Sequence, residues 1–187
     1  RVPGGKLKSG MLRIEDFQKL QQAASRCYEA PLYIIDVPNM PLLDLKAMAR
    51  RLVVNQGVKI IFIDYIGLIS TDNPNTQVWE QVSEISKSLK ALARELAIPI
   101  VALCQVSRDA EGEEPTLNQL RGSGSIEQDA DVVMFLHRER RKTAEQEENP
   151  VQDAKLIVAK QRNGPTGDVD ILYLSSYTKF ENKAQEN

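Results

Sequence analysis

The 187-residue chain carries 24 Lys and Arg residues against 26 Asp and Glu residues, which gives a formal net charge of -2 at pH 7. This balance argues against a strongly basic nucleic-acid coat and against a polybasic membrane anchor, although it leaves room for a few local phosphate contacts. No apolar run is long enough to span a bilayer, and the two cysteines lack metal-type spacing, so a cytoplasmic protein with reduced thiols is expected.

The first half of the chain alternates helical and extended patterns. Apolar residues recur at helical spacing over residues 14–30, and a short strand is expected at 32–35. A second helix is predicted over 42–57, with Gly57 as its C-cap. Residues 59–64 follow as a strand whose apolar run predicts burial on both faces, and a long helix is predicted from about Trp79 to Ala97.

The second half of the chain contains mostly strands. A buried strand is predicted at 98–104, a long loop at 106–125 and a third core strand at 131–137. A charged connection, 138–153, leads to two strands around the turn RNGPTG, which predict a β-hairpin: 154–161 and 168–175. The order of elements indicates an α/β fold with a mainly parallel sheet, flanking helices and an antiparallel edge, in a single domain over residues 1–187.

Two of the predicted strands end in polar residues. Asp64 ends one apolar run, and Gln105 follows the strand at 98–104. Ligands of open parallel α/β sheets bind at the carboxyl ends of strands, so the two side chains face one crevice if these strands are neighbours. A carboxylate there suits a nucleotide-bound Mg²⁺, and a glutamine can orient a water or sense a γ-phosphate. Alternatively, Asp64 caps a turn and Gln105 meets solvent.

A cationic pair lies at a third strand end. Lys160 and Arg162 are two residues apart, so they share one face if the strand extends that far. Two cations beside a tight turn suit a nucleotide phosphate, including one bound by a neighbouring subunit that uses Arg162 as an arginine finger. A solvated hairpin tip explains the same spacing equally well.

A glycine-rich segment, LRGSGSIEQDAD, precedes the third core strand. Gly122 and Gly124 allow backbone amides to converge on an anion, and Arg121 adds a positive charge. Such a loop can bind a sugar-phosphate backbone without reading bases. The alternative is a flexible linker with a helix start at Ser125.

These blocks together resemble a known family. The segments VKIIFIDYIGLIS, EISKSLKALARELAIPIVALCQVSR, LRGSGSIEQDADVVMFLHRE and KQRNGPTG…YTKFEN are similar, in order, to bacterial replicative DNA helicases of the DnaB type. The resemblance covers about Ala30 to Asn182. It implies a RecA-like motor domain that uses ATP and Mg²⁺, assembles as a hexamer on single-stranded DNA with an expected 5′→3′ polarity, and has primase and a helicase loader as partners.

The resemblance also implies a role for each candidate residue. Asp64 matches the Walker B aspartate, and Gln105 matches the polar residue that senses the γ-phosphate and links it to DNA. Lys160 and Arg162 match the trans-acting lysine and arginine finger. Three loop residues match the segment that holds the DNA backbone: Arg121, Gly122 and Gly124. Many relatives carry Glu where Gly122 stands, which puts the weight of DNA binding on backbone amides.

One expected motif of this family does not occur in the sequence. A P-loop requires G-x-x-x-x-G-K-[ST], whereas Gly5-Lys6 is followed by Leu7 and preceded by no strand. The chain is therefore expected to be the latter part of the motor domain, inactive by itself, with the phosphate-binding loop upstream. Another RecA-like ATPase, such as a recombinase or a RadA- or KaiC-type protein, and a non-enzymatic interaction module are the alternatives.

Overall fold

The computed structural model describes residues 1–72, 76–106, 113–120, 124–139 and 150–183. The described helices are α1 (Gly4–Ser9), α2 (Ile14–Glu29), α3 (Leu42–Gln56), α4 (Val78–Leu96) and α5 (Gly124–Asp129). The described strands are β1 (Ile61–Ile63), β2 (Ile100–Ala102), β3 (Val132–His137), β4 (Val151–Gln161), β5 (Gly167–Leu174) and β6 (Lys179–Asn182). The three helices predicted from apolar spacing are confirmed as α2, α3 and α4.

Local chemistry explains the end of α3 and the conformation of the Gly-Lys pair. Gly57 adopts a left-handed φ of 66°, and the N–H of Val58 donates to the Leu52 carbonyl at 3.4 Å, which closes the helix as a glycine C-cap does. Lys6 lies within α1, and its Nζ donates to Asp16 Oδ2 at 3.0 Å. The Gly5-Lys6 pair is thus helical and does not form a phosphate-binding loop.

The chain divides into two compact units, of which one contains the described residues of 35–133 together with 160–163. In this unit β1 and β2 pair in parallel, with Ile61 opposite Ile100. Its core consists of five buried residues from α3, α4 and the turn after β1: Leu42, Ile66, Ile69, Ile85 and Leu89. Ile63 and Cys104 pack against this core.

The prediction that the strand at 59–64 is buried on both faces is wrong, and the strand at 98–104, predicted to be buried, is partly exposed. Phe62 is 68% exposed and Leu103 is 50% exposed, whereas Ile63 packs on the core. Alternate residues of a strand point to opposite faces, and the core residues of α3 and α4 cover only the face that carries Ile63. An apolar run therefore identified the strands but not how many of their faces the described residues cover.

The other unit contains the described residues of 1–34, 134–159 and 164–183. Its sheet has the order β3-β4-β5-β6, and β4 pairs with β5 and β5 with β6 in antiparallel register. Ala154, Ile171 and Tyr173 form the core of this sheet. The predicted hairpin is confirmed. The apolar pattern of the sequence did not predict β6 or the first residues of β4. Strand β4 begins at Val151, inside the predicted charged connection.

Two further predictions concern the strand at 32–35 and the number of domains. Residues 32–35 do not form a strand, and Leu32 and Ile34 are 58% and 80% exposed. Apolar composition favours extended backbone, but a strand also requires a hydrogen-bonded partner. The single domain over residues 1–187 stays a prediction. Within the described residues, no helix is long and apolar enough to cross a membrane.

Candidate functional site

Asp64 and Gln105 lie just beyond the carboxyl ends of two neighbouring strands. The parallel register places Ile63 opposite Ala102, and the N–H of Leu103 donates to the Ile63 carbonyl at 2.9 Å. The two strands are neighbours, as a shared site requires, so both polar residues follow strands that end at the same edge of the sheet. Both residues are exposed, and neither side chain has a hydrogen bond or ion pair within the described part of the chain.

Residues that follow Asp64 anchor the backbone that carries it. After Tyr65 the backbone forms a single 3-10 turn, Ile66–Leu68, and the N–H of Ile66 donates to the Leu103 carbonyl at 3.0 Å. Ile66 and Ile69 are both buried in the core. Asp64 is therefore an exposed carboxylate on a backbone that is held by hydrogen bonds and packing on either side.

Lys160 and Arg162 meet at the C-terminal end of α5. Lys160 Nζ donates to the Glu127 carbonyl, and Arg162 Nη2 donates to the Gln128 carbonyl. The last carbonyls of a helix lack partners within the helix and carry partial negative charge, so they attract cations. The structure brings the two predicted residues together and commits both to partners inside the chain.

Asp131 completes this arrangement, and its role was not visible in the sequence. Its Oδ1 accepts from Arg162 Nη1 at 3.0 Å, its backbone carbonyl accepts from the Arg162 N–H at 2.9 Å, and its Oδ2 pairs with Lys90. The hydrogen bond from Lys90, followed by the nearby charge of Arg162, lowers the pKa of Asp131 below its usual 3.8. Lys90 lies on α4, 41 residues away, so no local spacing could have indicated the pair.

A second bond joins α4 to the same region. Ser86 Oγ donates to Asp129 Oδ2 at 2.8 Å. Ser86 and Lys90 are four residues apart and therefore lie on one face of α4, which contacts the residues around the end of α5. Helix α4 thus provides two polar anchors for the chain between α5 and β3.

The predicted DNA-binding loop is only partly described. Arg121 and Gly122 lie outside the described residues. Gly124 is the first residue of α5, its φ is not left-handed, and a Cβ at this position would meet open space. An anion nest requires a left-handed residue, which Gly124 does not supply, so that part of the prediction rests on Gly122.

The metal-binding prediction rests on one carboxylate. Among the described residues, no three His, Cys, Asp or Glu side chains gather as a metal site. Mg²⁺ that is bound together with a nucleotide requires only one or two protein carboxylates, because phosphate oxygens and waters complete its shell. The exposed Asp64 carboxylate at the edge of the sheet fits this requirement.

Known proteins are similar to this chain over almost its whole length. The sequence model described as DnaB-like helicase C terminal domain matches residues 1–182. The chain is 56% identical over 179 residues to the replicative DNA helicase DnaB of Treponema pallidum (strain Nichols), covering 96% of this chain and 39% of that protein. It is 43% identical over 180 residues to the same helicase of Geobacillus stearothermophilus, covering 94% and 39%.

Solved structures give the same result at the level of the fold. One of them, described as an ATPase domain, superposes with a TM-score of 0.85 at 32% identity, covering 98% of this chain and 66% of that one. Another, described as a DnaB-like replicative helicase and its interactions with primase, matches with the same TM-score and identity, covering 98% and 45%. The predicted RecA-like α/β fold is thereby confirmed.

These comparisons decide between the families that the sequence left open. The chain spans about two-fifths of the length of the curated relatives it matches, 39% for the Treponema pallidum helicase. The relatives are replicative helicases, and so is one of the two solved structures, which does not favour a recombinase or an interaction module. The chain belongs to the family of DnaB-like helicase C-terminal domains.

Proposed function

We propose that this chain is part of a longer ATP-dependent replicative helicase, which unwinds duplex DNA as a hexameric ring that moves along single-stranded DNA. The observation that carries the proposal is the pair of exposed polar residues, Asp64 and Gln105, beyond the carboxyl ends of the parallel strands β1 and β2. This edge is where α/β sheets bind nucleotides. The family of the chain makes ATP the expected nucleotide.

In this proposal Asp64 would hold Mg²⁺ that arrives with the nucleotide. Bound Mg²⁺ would neutralise charge on the β- and γ-phosphates. The turn after Asp64, anchored by the buried Ile66, holds the backbone that carries the carboxylate, which is part of the positional contribution on which phosphoryl transfer depends. The chain contains no G-x-x-x-x-G-K-[ST] motif of its own, so turnover is proposed for the full-length protein and not for these 187 residues alone.

Gln105 is suited to sense the γ-phosphate and to relay its presence towards DNA. The next residue, Val106, forms an isolated antiparallel bridge with Leu120. Leu120 is buried, and it directly precedes Arg121. A shift of the backbone at Gln105 therefore has a short, hydrogen-bonded route to the proposed DNA-binding residues.

The cationic pair is proposed to act on the nucleotide of a neighbouring subunit. Lys160 and Arg162 would stabilise the charge that develops on the γ-phosphate, as an arginine finger in trans does. Arg162 remains 41% exposed as a side chain, so it can reach a partner outside this chain. Engagement would exchange the carbonyl partner of Lys160 for a phosphate oxygen, whereas Arg162 has donors left beside its bonds to Asp131 and Gln128.

The remaining proposals concern partners. Arg121, Gly122 and the backbone near Gly124 would bind the phosphates of single-stranded DNA, with little sequence preference and marked salt dependence. A primase is proposed as a protein partner because one matching structure is described by its interactions with primase. A helicase loader is proposed from the family alone.

The decisive experiment places Arg162→Ala in the full-length protein. We expect ATP binding close to wild type and a turnover number that is lower by at least about 10³-fold, because arginine fingers contribute roughly 10³–10⁵ in rate. Mixing this variant with a P-loop lysine variant should restore part of the activity, since each defect disables a different side of an interface. A turnover number of the Arg162→Ala protein equal to that of wild type, or no recovery of activity in mixed rings, would contradict the proposed role in trans.

A further inference from the structure

The end of β4 is anchored to the chain before β3 through one residue, Asp131. Its backbone carbonyl accepts the N–H of Arg162 at 2.9 Å, and its carboxylate accepts from the guanidinium of the same residue at 3.0 Å. The backbone bond fixes where the side chain of Arg162 begins, and the carboxylate fixes its far end. Arg162 is thus held at both ends by a single neighbour.

Lys90 in turn holds the carboxylate of Asp131. Its Nζ pairs with Oδ2, the oxygen that Arg162 does not use, and its side chain is only 20% exposed. The two cations share one carboxylate, and its negative charge offsets the repulsion between them. Without that negative charge, Lys90 would push Arg162 away from its present position.

These contacts still leave donors on Arg162 for an external anion. A guanidinium has five N–H groups, and the two side-chain bonds to Asp131 and Gln128 use two of them. The side chain is 41% exposed. A planar group that is held on one side and open on the other can present a bidentate pair of donors to a phosphate.

We propose that Asp131, supported by Lys90, is a positioning residue that aims Arg162 at the nucleotide of the neighbouring subunit. The inference rests on the proposed function, because it requires Arg162 to act as the finger. Arginine has high rotamer entropy, and the rate contribution of a finger depends on its geometry. Asp131 acts through Arg162 and does not itself contact the phosphates.

The test is a double-mutant cycle in the full-length protein, with the turnover number and KM for ATP as readouts. We expect Asp131→Asn to lower kcat about 10- to 100-fold, the range expected for a misplaced catalytic group, with KM within about threefold of wild type. Asp131→Glu should recover part of the loss. In the Arg162→Ala background, Asp131→Asn should cause no further loss, because its effect passes through the missing side chain.

A matched control and a second variant complete the design. Glu95→Gln changes another ion-paired carboxylate of the same unit, which bonds Arg50 and not Arg162, and it should leave kcat unchanged. Lys90→Gln should lower kcat in the same direction as Asp131→Asn but less, and again only when Arg162 is present. If Asp131→Asn does not assemble into rings, the cycle of Lys90→Gln with Arg162→Ala carries the same test.

The outcomes separate this inference from the proposed function. If Arg162→Ala lowers kcat while Asp131→Asn does not, or if the two losses multiply in the double variant, Asp131 does not position Arg162 and the finger survives. If Arg162→Ala has no effect on kcat, the finger itself is wrong, and the positioning role is overturned together with it.

Discussion

The two candidate nucleotide-contacting regions of this chain differ in how far they are committed to internal partners. At the edge of β1 and β2, Asp64 and Gln105 are exposed, and their side chains have no bond within the described residues. At the end of β4, Lys160 and Arg162 are both bonded to the C-terminal end of α5, and Arg162 also to Asp131. The first region is ready for a ligand, whereas the second must rearrange: Lys160 gives up a carbonyl, and Arg162 uses donors that its present bonds leave free.

The free-energy cost of rearranging these contacts is small. Exposed ion pairs contribute about 0–1 kcal/mol, because water competes for both partners and holding two long side chains costs entropy. Asp131 and Arg162 have side chains that are 57% and 41% exposed. The Asp131–Arg162 pair can therefore shift when a phosphate binds to the open side of the guanidinium, without the bond to Asp131 being lost.

The largest effect is expected at the edge of β1 and β2. Asp64→Asn in the full-length protein should lower ATP turnover by about 10³-fold or more, because the variant loses the only proposed protein charge for the metal. Steady-state hydrolysis at saturating Mg²⁺ measures it. Asp72→Asn, another exposed carboxylate of the same unit, is the control and should match wild type. Near-normal turnover of Asp64→Asn would remove the metal-binding role.

Gln105 should have a smaller effect, and mainly on coupling. We expect Gln105→Ala to lower DNA-stimulated ATP turnover roughly 10- to 100-fold, as the loss of one positioning group does, while basal turnover falls less. The reason is the route from Gln105 through the bridge between Val106 and Leu120. The control is Gln81→Ala, because Gln81 is half-buried on α4 and is far from Gln105 in the sequence. Full DNA stimulation in Gln105→Ala would show that the bridge carries no signal.

A contrast within the predicted DNA-binding loop should be smaller still. Arg121→Ala should weaken binding of all single-stranded sequences about equally and reduce the salt slope by about 1, as the loss of one phosphate contact does. Gly124→Ala should leave DNA binding unchanged, because the position is helical and a Cβ meets open space. Titrations of the full-length protein at several salt concentrations measure both. A large loss in Gly124→Ala would mean that DNA lies too close to this backbone to leave room for a methyl group.

Sequence alone predicted the elements well and their pairing in part. The spacing of Val82, Ile85 and Leu89 identified α4 because an apolar helix face repeats locally. The strand ends at Asp64 and Gln105 were visible for the same reason. The bonds of Asp131 with Lys90 and Arg162 were not visible, because they join residues 41 and 31 positions apart and only the folded chain brings them together.

The sequence also did not predict which apolar segments are buried and which are paired. Residues 32–35 have the composition of a strand but not its structure, since composition does not supply a hydrogen-bonded partner. Phe62 is apolar and yet exposed, since the described residues cover only one face of its strand. Periodicity reports what a segment could bury, whereas the tertiary structure decides what it does bury.

The smallest effect concerns the stability that Asp131 contributes, and it tests whether its ion pairs are weak enough to adjust when a phosphate binds to Arg162. Lys90 and Arg162 lower the pKa of Asp131 below 3.8, so the ionised form is favoured in the folded protein. A lowered pKa means that this contribution is complete above about pH 5 and is lost as the pH falls through the folded-state pKa, which lies below about 4. At pH 7, Asp131→Asn should therefore lower the apparent Tm of the full-length protein by no more than about 2–4 °C, the shift that corresponds to roughly 1 kcal/mol in a domain of this size. The difference between the two proteins should shrink between about pH 5 and pH 3, as measured by thermal unfolding at each pH. A much larger shift at pH 7 would mean that the pair is a rigid structural element, which could not adjust to a phosphate without disturbing its surroundings.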